Sequence, residues 1–349
     1  MPVITTGAHP KELWPGVKTW FGQVYKELPK EYERMYEHET SDKAYEEDVE
    51  SYSFGLAQMK EQGKSFVYDE HSQGPVTRYT HSVWGLGFIV TMEELEDNQY
   101  KAVAFKRTRM LAQSINQTKE INGAFPFNNG FSSSFQTGDG QNWFASTHPT
   151  MAGNQSNIAN TNADFSEAAL EDLLIQISLT QNNRGHITNT VGEMLAVHPN
   201  DQFNAIRVLG SPLTTQDAGN SINAVRQSNA VRKGHMINHF FSSTVAWFVQ
   251  TDYPEGTKMY QRSPYRFEQD NDNDTLNAKA KAWERYSFGV SDFGVSSAGA
   301  GAGTATSVNS PRGLSNAVRV TASRRKKPAR IQSTQTRTLR LKVGTRLTW

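Results

Sequence analysis

The residues that could carry chemistry are few, and each falls short of a full constellation. Asp270-Asn-Asp-Asn-Asp274 sets carboxylates at alternate positions, as a calcium loop does. That loop needs glycine sixth and glutamate twelfth, where this chain has Thr275 and Lys281, so the stretch reads as a solvated acidic turn. Gly299-Ala-Gly-Ala-Gly303 has the spacing of a phosphate-cradling turn, but Thr304 replaces the next glycine and no strand is predicted before it. Glu93 and Glu94 are adjacent carboxylates in the first turn of a predicted helix, where negative charge is favourable without any catalytic task. His148, in Ser-Thr-His-Pro149, has the chemistry of a base or ligand, yet no other histidine lies at a diagnostic spacing, and a loop or packing role is expected. The acidic run from Glu46 to Glu50 reads as a solvated face. Walker, HExxH and GxSxG patterns are absent. The expectation is a protein that is not an enzyme, with no cofactor, metal or catalytic residue. A metal-dependent hydrolase around His148 and Asp270–Asp274 is the weakest alternative.

Composition agrees with a structural role. The chain has 349 residues with 18 Phe, 12 Tyr and 7 Trp, enough for a sizeable core, and no cysteine for disulfides or thiolate sites. No apolar run reaches the length of a membrane span, and Met1-Pro-Val-Ile-Thr-Thr-Gly lacks the charge and apolar core of a signal peptide. A net charge of +1 hides a partition. No acid follows Asp292, and residues 294–349 carry 11 Lys and Arg, leaving 25 basic against 35 acidic residues in 1–293, a net −10.

The elements that would position any site read as follows. Residues 1–50 suggest an extended arm whose aromatics (Trp14, Trp20, Phe21, Tyr25, Tyr32, Tyr36, Tyr45) bury against a partner or against their own domain. Lys64-Ser-Phe-Val-Tyr68 and Arg78–Val90 read as two strands of a long hairpin, with Gly74-Pro75 at its turn. Thr91 and Glu94 form a capping box for a long helix carrying Leu95, Ala102, Val103, Met110, Leu111 and Ile115, stopped at Gly123. Asp164-Phe-Ser-Glu167 caps a helix over Ala168–Gln181. Met194–Val197 is a buried strand, Asp201–Leu209 a helix, and Met236–Gln250 strand material. Segments 258–262, 265–269 and 281–289 read as strands of a final sheet, and 297–306 as low complexity. A hairpin of this length cannot bury both faces on its own chain, which points to cover by another copy.

Several segments then carry a family resemblance, in chain order. They are Glu39–Glu47, Arg78-Tyr-Thr-His81, Gly85–Thr91 with Glu94-Leu-Glu-Asp97, Ser146-Thr-His-Pro149, Phe267–Asp272, and Glu284–Gly289 with Ser291-Asp292. Together they resemble a tailed-bacteriophage major capsid protein of the Hong Kong 97 fold, closest to the Mu-like major head subunit type. The resemblance implies an α+β subunit with an N-terminal arm (1–50) and an E-loop hairpin (51–90). It further implies a P-domain with a long spine helix (91–149), an A-domain (150–250), return strands of the P-domain (251–293), and a basic tail (294–349). Such subunits assemble as hexamers and pentamers in an icosahedral shell around double-stranded DNA. They work with a portal and a separate scaffolding protein, without a membrane, in the virion after assembly in the host bacterial cytoplasm. Intersubunit contacts are expected at Trp20, Arg78, Trp84, Glu94 and Arg107, as aromatic anchors and salt bridges.

The end departs from the family pattern, which closes soon after Ser-Asp and an aromatic. Two expectations follow for residues 294–349. The favoured one is an out-of-frame tail; the other is a genuine basic extension that binds nucleic acid by neutralising phosphates.

Overall fold

A computed structural model describes residues 10–70, 73–91, 93, 100–214, 221–253, 256–271 and 277–301. The first element is helix α1 (Pro10–Glu27). Phe21, Val24 and Tyr25 are buried at i, i+3 and i+4, while Lys18, Gln23 and Lys26 face water. The expectation of an extended arm is therefore corrected for this segment: the charges between the aromatics are the outer face of an amphipathic helix. A 3₁₀ turn at Tyr32–Arg34 leads into strand β1 (Glu37–Thr40).

Strand β2 (Tyr45–Ser51) pairs antiparallel with β3 (Gln73–Thr80). The hairpin exists, but its first strand is not Lys64–Tyr68, which has no regular structure. β2 reads Tyr-Glu-Glu-Asp-Val-Glu-Ser, a poor strand by composition. Its acids are held by cations elsewhere, Glu47 by Arg78 and Asp48 by Lys258. Residues 52–70 form a long exposed excursion between the two strands.

The run read as one strand over Arg78–Val90 breaks at His81, and β4 (Ser82–Val90) joins another sheet. His81 is buried at the break, its Nδ1 2.9 Å from Ser287 Oγ and its Nε2 3.1 Å from Ser41 Oγ. Helix α2 spans Tyr100–Asn129, about 45 Å at the usual rise. It passes through Gly123 instead of stopping there. A Cβ at Gly123 would lie 2.8 Å from Tyr32 Cβ, so glycine serves close packing. Glu93, two residues past Thr91, is helical, and the expected cap partner Glu94 and Leu95 lie outside the described residues.

Strands β5 (His148–Thr150) and β6 (Gly153–Gln155) form a small hairpin. Ser166 caps helix α3 (Glu167–Ser178), accepting a hydrogen bond from the Ala169 amide. Strand β7 (Gly192–Val197) and helix α4 (Gln202–Gly210) fall where the sequence places them, followed by the short helix α5 (Ala224–Gln227). The stretch Met236–Gln250 divides into β8 (His235–Ile237) and β9 (Trp247–Thr251), joined by a turn in which Asn238 Oδ1 accepts from the Phe240 amide. Strands β10 (Thr257–Asn271) and β11 (Ala278–Val290) are long and antiparallel, and β12 (Ser296–Gly299) follows.

Two four-stranded sheets result, in the orders β1-β10-β11-β4 and β12-β9-β7-β8. On β11, Ala278, Ala280 and Ala282 turn inward beside Phe21, Leu111, Ala112 and Ile115, and these small side chains let α1 and α2 lie close to the sheet. A second cluster, with Tyr36, Phe127, Trp143, Met194, Phe248 and Phe288, joins both sheets into one body.

The boundary expected at 294 is also corrected. Val295, Ser296 and Ala298 are buried, and β12 pairs in register with β9. Gly299 lies so close to the Trp247 indole that a Cβ would sit 2.1 Å from its ring. The first residues of the expected tail belong to the fold; residues 302–349, which hold all 11 basic side chains, lie outside the described residues.

Candidate assembly interface

The largest unsatisfied feature of the subunit is residues 52–70. Phe54, Leu56, Phe66 and Val67 are exposed, and Met59 and Tyr68 retain 89% and 88% of their surface. Isolated exposed apolar residues are ordinary, but six within fifteen positions make a candidate interaction surface. The segment has little internal support: Lys64 pairs with Glu61, and Lys60 lies 5.1 Å from the Phe66 ring centroid. Lys64–Tyr68 reads as a strand by composition, because aromatic and β-branched residues are enriched both in strands and in exposed contact loops. Phe54, Leu56 and Met59 were missed; their signal is apolar residues in a stretch otherwise built of Gly, Gln, Lys and Glu.

The hairpin at the root of this loop is well fixed. Arg78 Nε donates to Glu47 Oε1 at 2.7 Å across the strand pair, and its guanidinium lies 4.2 Å from the Tyr45 ring centroid. Lys258 Nζ lies 2.9 Å from Asp48 Oδ2, which also accepts from the Ser291 hydroxyl at 2.6 Å.

The five expected contact residues are not gathered in one place. Arg78 is paired within its own hairpin. Trp84 is half-buried on β4, stacked 6.4 Å from Tyr286. Trp20 packs against the cluster of Phe21 and Phe267. Arg107 is half-buried on α2, and Glu94 lies outside the described residues. The structure thus spends Trp20, Trp84 and much of Arg78 on their own chain.

The candidate chemical groups have structural work. His148 is fully buried, stacked 4.3 Å from the Phe293 ring, with Nδ1 2.6 Å from Asp139 Oδ2. Hydrogen bonds from His148, Thr137 and the Gln141 amide hold the Asp139 carboxyl below its ordinary value, against the opposing effect of burial. Within the sheet core, Lys119 on α2 reaches Glu284 on β11 at 2.9 Å, and the Tyr25 hydroxyl donates to the same carboxylate. Burial pushes the Glu284 carboxyl up and the Lys119 ammonium down, while their contact draws each back toward its charged form. Among the described residues no three metal-ligating side chains gather, and no helix is long and apolar enough to cross a membrane. Most of the Asp270–Asp274 turn lies outside the described residues.

A body whose buried polar groups serve packing, with six exposed apolar side chains on one loop, fits a self-associating structural subunit. The sequence identifies which kind. A family model described as phage capsid protein matches residues 75–314, most of the chain, and the protein belongs to that family. It is a major capsid protein, a component of the virion that forms an oligomeric shell. The matched span runs past residue 293, in keeping with the burial of β12. None of the curated proteins matches the sequence. Among solved structures, the chain is similar to the capsid of a native GTA particle, at 12% identity and TM-score 0.49, covering 77% of this chain and 89% of that one. It is also similar to the mature capsid of bacteriophage PhiM1, at 12% identity and TM-score 0.48, covering 78% and 86%. A virus-like particle from Pyrococcus furiosus aligns at 10% identity and TM-score 0.45, covering 82% and 99%.

Proposed function

We propose that the protein is the major head subunit of a tailed bacteriophage or prophage, closing as hexamers and pentamers into an icosahedral shell around double-stranded DNA. Assembly takes place in the host bacterial cytoplasm with a separate scaffolding protein and a portal. The Mu-like subtype rests on the ordered sequence segments. In this reading β2, β3 and residues 52–70 are the E-loop, and the β1-β10-β11-β4 sheet with α2 is the P-domain. The β12-β9-β7-β8 sheet with α3 and α4 is the A-domain, and α1 with the following turn is the base of the N-terminal arm. The protein acts by association and turns over no substrate.

The observation that carries this is the exposed apolar run from Phe54 to Tyr68. A loop on one copy that docks onto a different surface of the next makes a head-to-tail contact, which closes into rings. The intersubunit contacts therefore centre on Phe54, Leu56, Met59, Phe66, Val67 and Tyr68. Arg78 supports them by holding the hairpin, and Trp20, Trp84, Glu94 and Arg107 contribute from the rim. The basic residues in 302–349 neutralise phosphates of the packaged DNA.

The test is a triple substitution, Met59→Ser, Phe66→Ser and Tyr68→Ser, in protein expressed with its scaffold. It leaves the subunit folded by circular dichroism and abolishes shells by electron microscopy. Normal shells from the triple variant contradict the proposal.

A further inference from the structure

The neck of the exposed loop is gripped by a turn from a distant part of the chain. Residues 181–187 form that turn, with Gln181 bridged to Ile187 and the Asn182 amide donating to His186 O at 2.8 Å. Asn182 Oδ1 accepts from the amides of Arg184 and His186, at 3.0 and 2.9 Å. Gly185 takes φ +85°, so the turn is shaped by its own sequence before it touches anything.

The tip of the turn faces both ends of the loop. Asn183 Nδ2 donates to Glu50 Oε1, at the end of β2. Arg184 Nη2 donates to Glu70 O at 3.1 Å and lies 3.5 Å from Asp69 Oδ1, on the returning end of the loop. Asp69 in turn closes the neck, accepting from the Gly55 amide at 2.7 Å through Oδ2 and from the Glu70 amide through Oδ1. Beyond that neck, residues 56–68 have no hydrogen-bonded strand or helix.

A loop without internal ladders has no stiffness of its own, so its direction is set where it is anchored. Ordering it during association costs free energy, and anchoring it beforehand lowers that cost. We infer that Arg184 is the positioning residue of the assembly loop: it fixes the direction in which residues 54–68 leave the subunit. This inference rests on the loop being the docking element. Arg184 itself is set back from the apolar tip and need not touch the neighbour.

The experiment compares the full-length wild type with Arg184→Ala and Arg184→Lys. Hydrogen exchange of the unassembled protein reads the clamp, and the protein concentration at which shells first form reads its use. Arg184→Ala accelerates exchange in peptides covering 50–70, leaves α2 peptides unchanged, and raises the threshold concentration about tenfold, the factor one charge-assisted hydrogen bond carries. Arg184→Lys, which keeps one donor and the charge, recovers most of both effects. Unchanged exchange in 50–70 overturns the clamp. Faster exchange with an unchanged assembly threshold overturns its positioning role. A wild type that forms no shells even with its scaffold overturns the docking reading instead, and the exchange data still decide whether Arg184 holds the neck.

Discussion

Lys119 and Glu284 form an ion pair almost free of solvent, with side chains 3% and 1% exposed. Removing one partner strands a buried charge, which costs about 3–5 kcal/mol, whereas replacing both with apolar residues is often close to neutral. Lys119→Met is expected to destabilise the unassembled subunit by that amount in urea denaturation, and Lys119→Met with Glu284→Leu to recover most of it. Equal losses in the single and double variants would contradict a pair. Glu120, one residue on, accepts from the amides of Glu31 and Tyr32 at 3.0 and 3.1 Å. Burial, with the neighbouring acids Glu31 and Glu33, nevertheless raises its carboxyl from 4.5 to about 7. The folded chain then binds this proton more tightly than the unfolded chain. Stability from it is full below pH 4.5 and lost as pH rises to about 7, by at most about 3 kcal/mol. Glu120→Gln should flatten the fall of the unfolding midpoint between pH 5 and 7; an unchanged slope would contradict the assignment. Neither group was legible in the sequence, because Lys119 and Glu120 look like any charged pair on a helix until the fold buries them.

At the scale of elements, legibility tracked how local the cause was. Helix α3 was readable because its apolar period is local, although its cap is Ser166 and not Asp164, the residue a capping box with Glu167 requires. β7 was readable because Met194–Val197 is apolar throughout. β2 was not, since its acids become strand-compatible only when Arg78 and Lys258 arrive from distant positions. The stop expected at Gly123 failed for the same reason: the glycine answers to Tyr32, far away in sequence. The end of the chain teaches the converse lesson. Composition separated residues 294–349 as foreign, yet β12 completes a sheet edge and Gly299 admits the Trp247 ring. Gly299→Ala forces a backbone or indole shift and is expected to lower the thermal midpoint by several degrees at least. A variant as stable as wild type would show that β12 is dispensable.

At the scale of the whole molecule, the described residues form a body whose two sheets share one core, with a loop that exposes six apolar side chains. Resemblance in the sequence identified the class of protein, and the match of a phage capsid family over residues 75–314 agrees with it. The surface proposed for assembly differs from the one the sequence suggested. Trp20 and Trp84, expected as anchors, pack against their own chain, while six exposed apolar side chains cluster on the irregular loop. Burial cannot be read from residue type alone, because core and interface draw on the same residues. The central claim is that this loop is completed by a neighbouring copy. The most direct measurement is a cryo-electron microscopy reconstruction of the assembled full-length protein. The account predicts closed shells in which Phe54, Leu56, Met59, Phe66, Val67 and Tyr68 of each subunit are buried against the next. Shells in which those side chains still face solvent would contradict it.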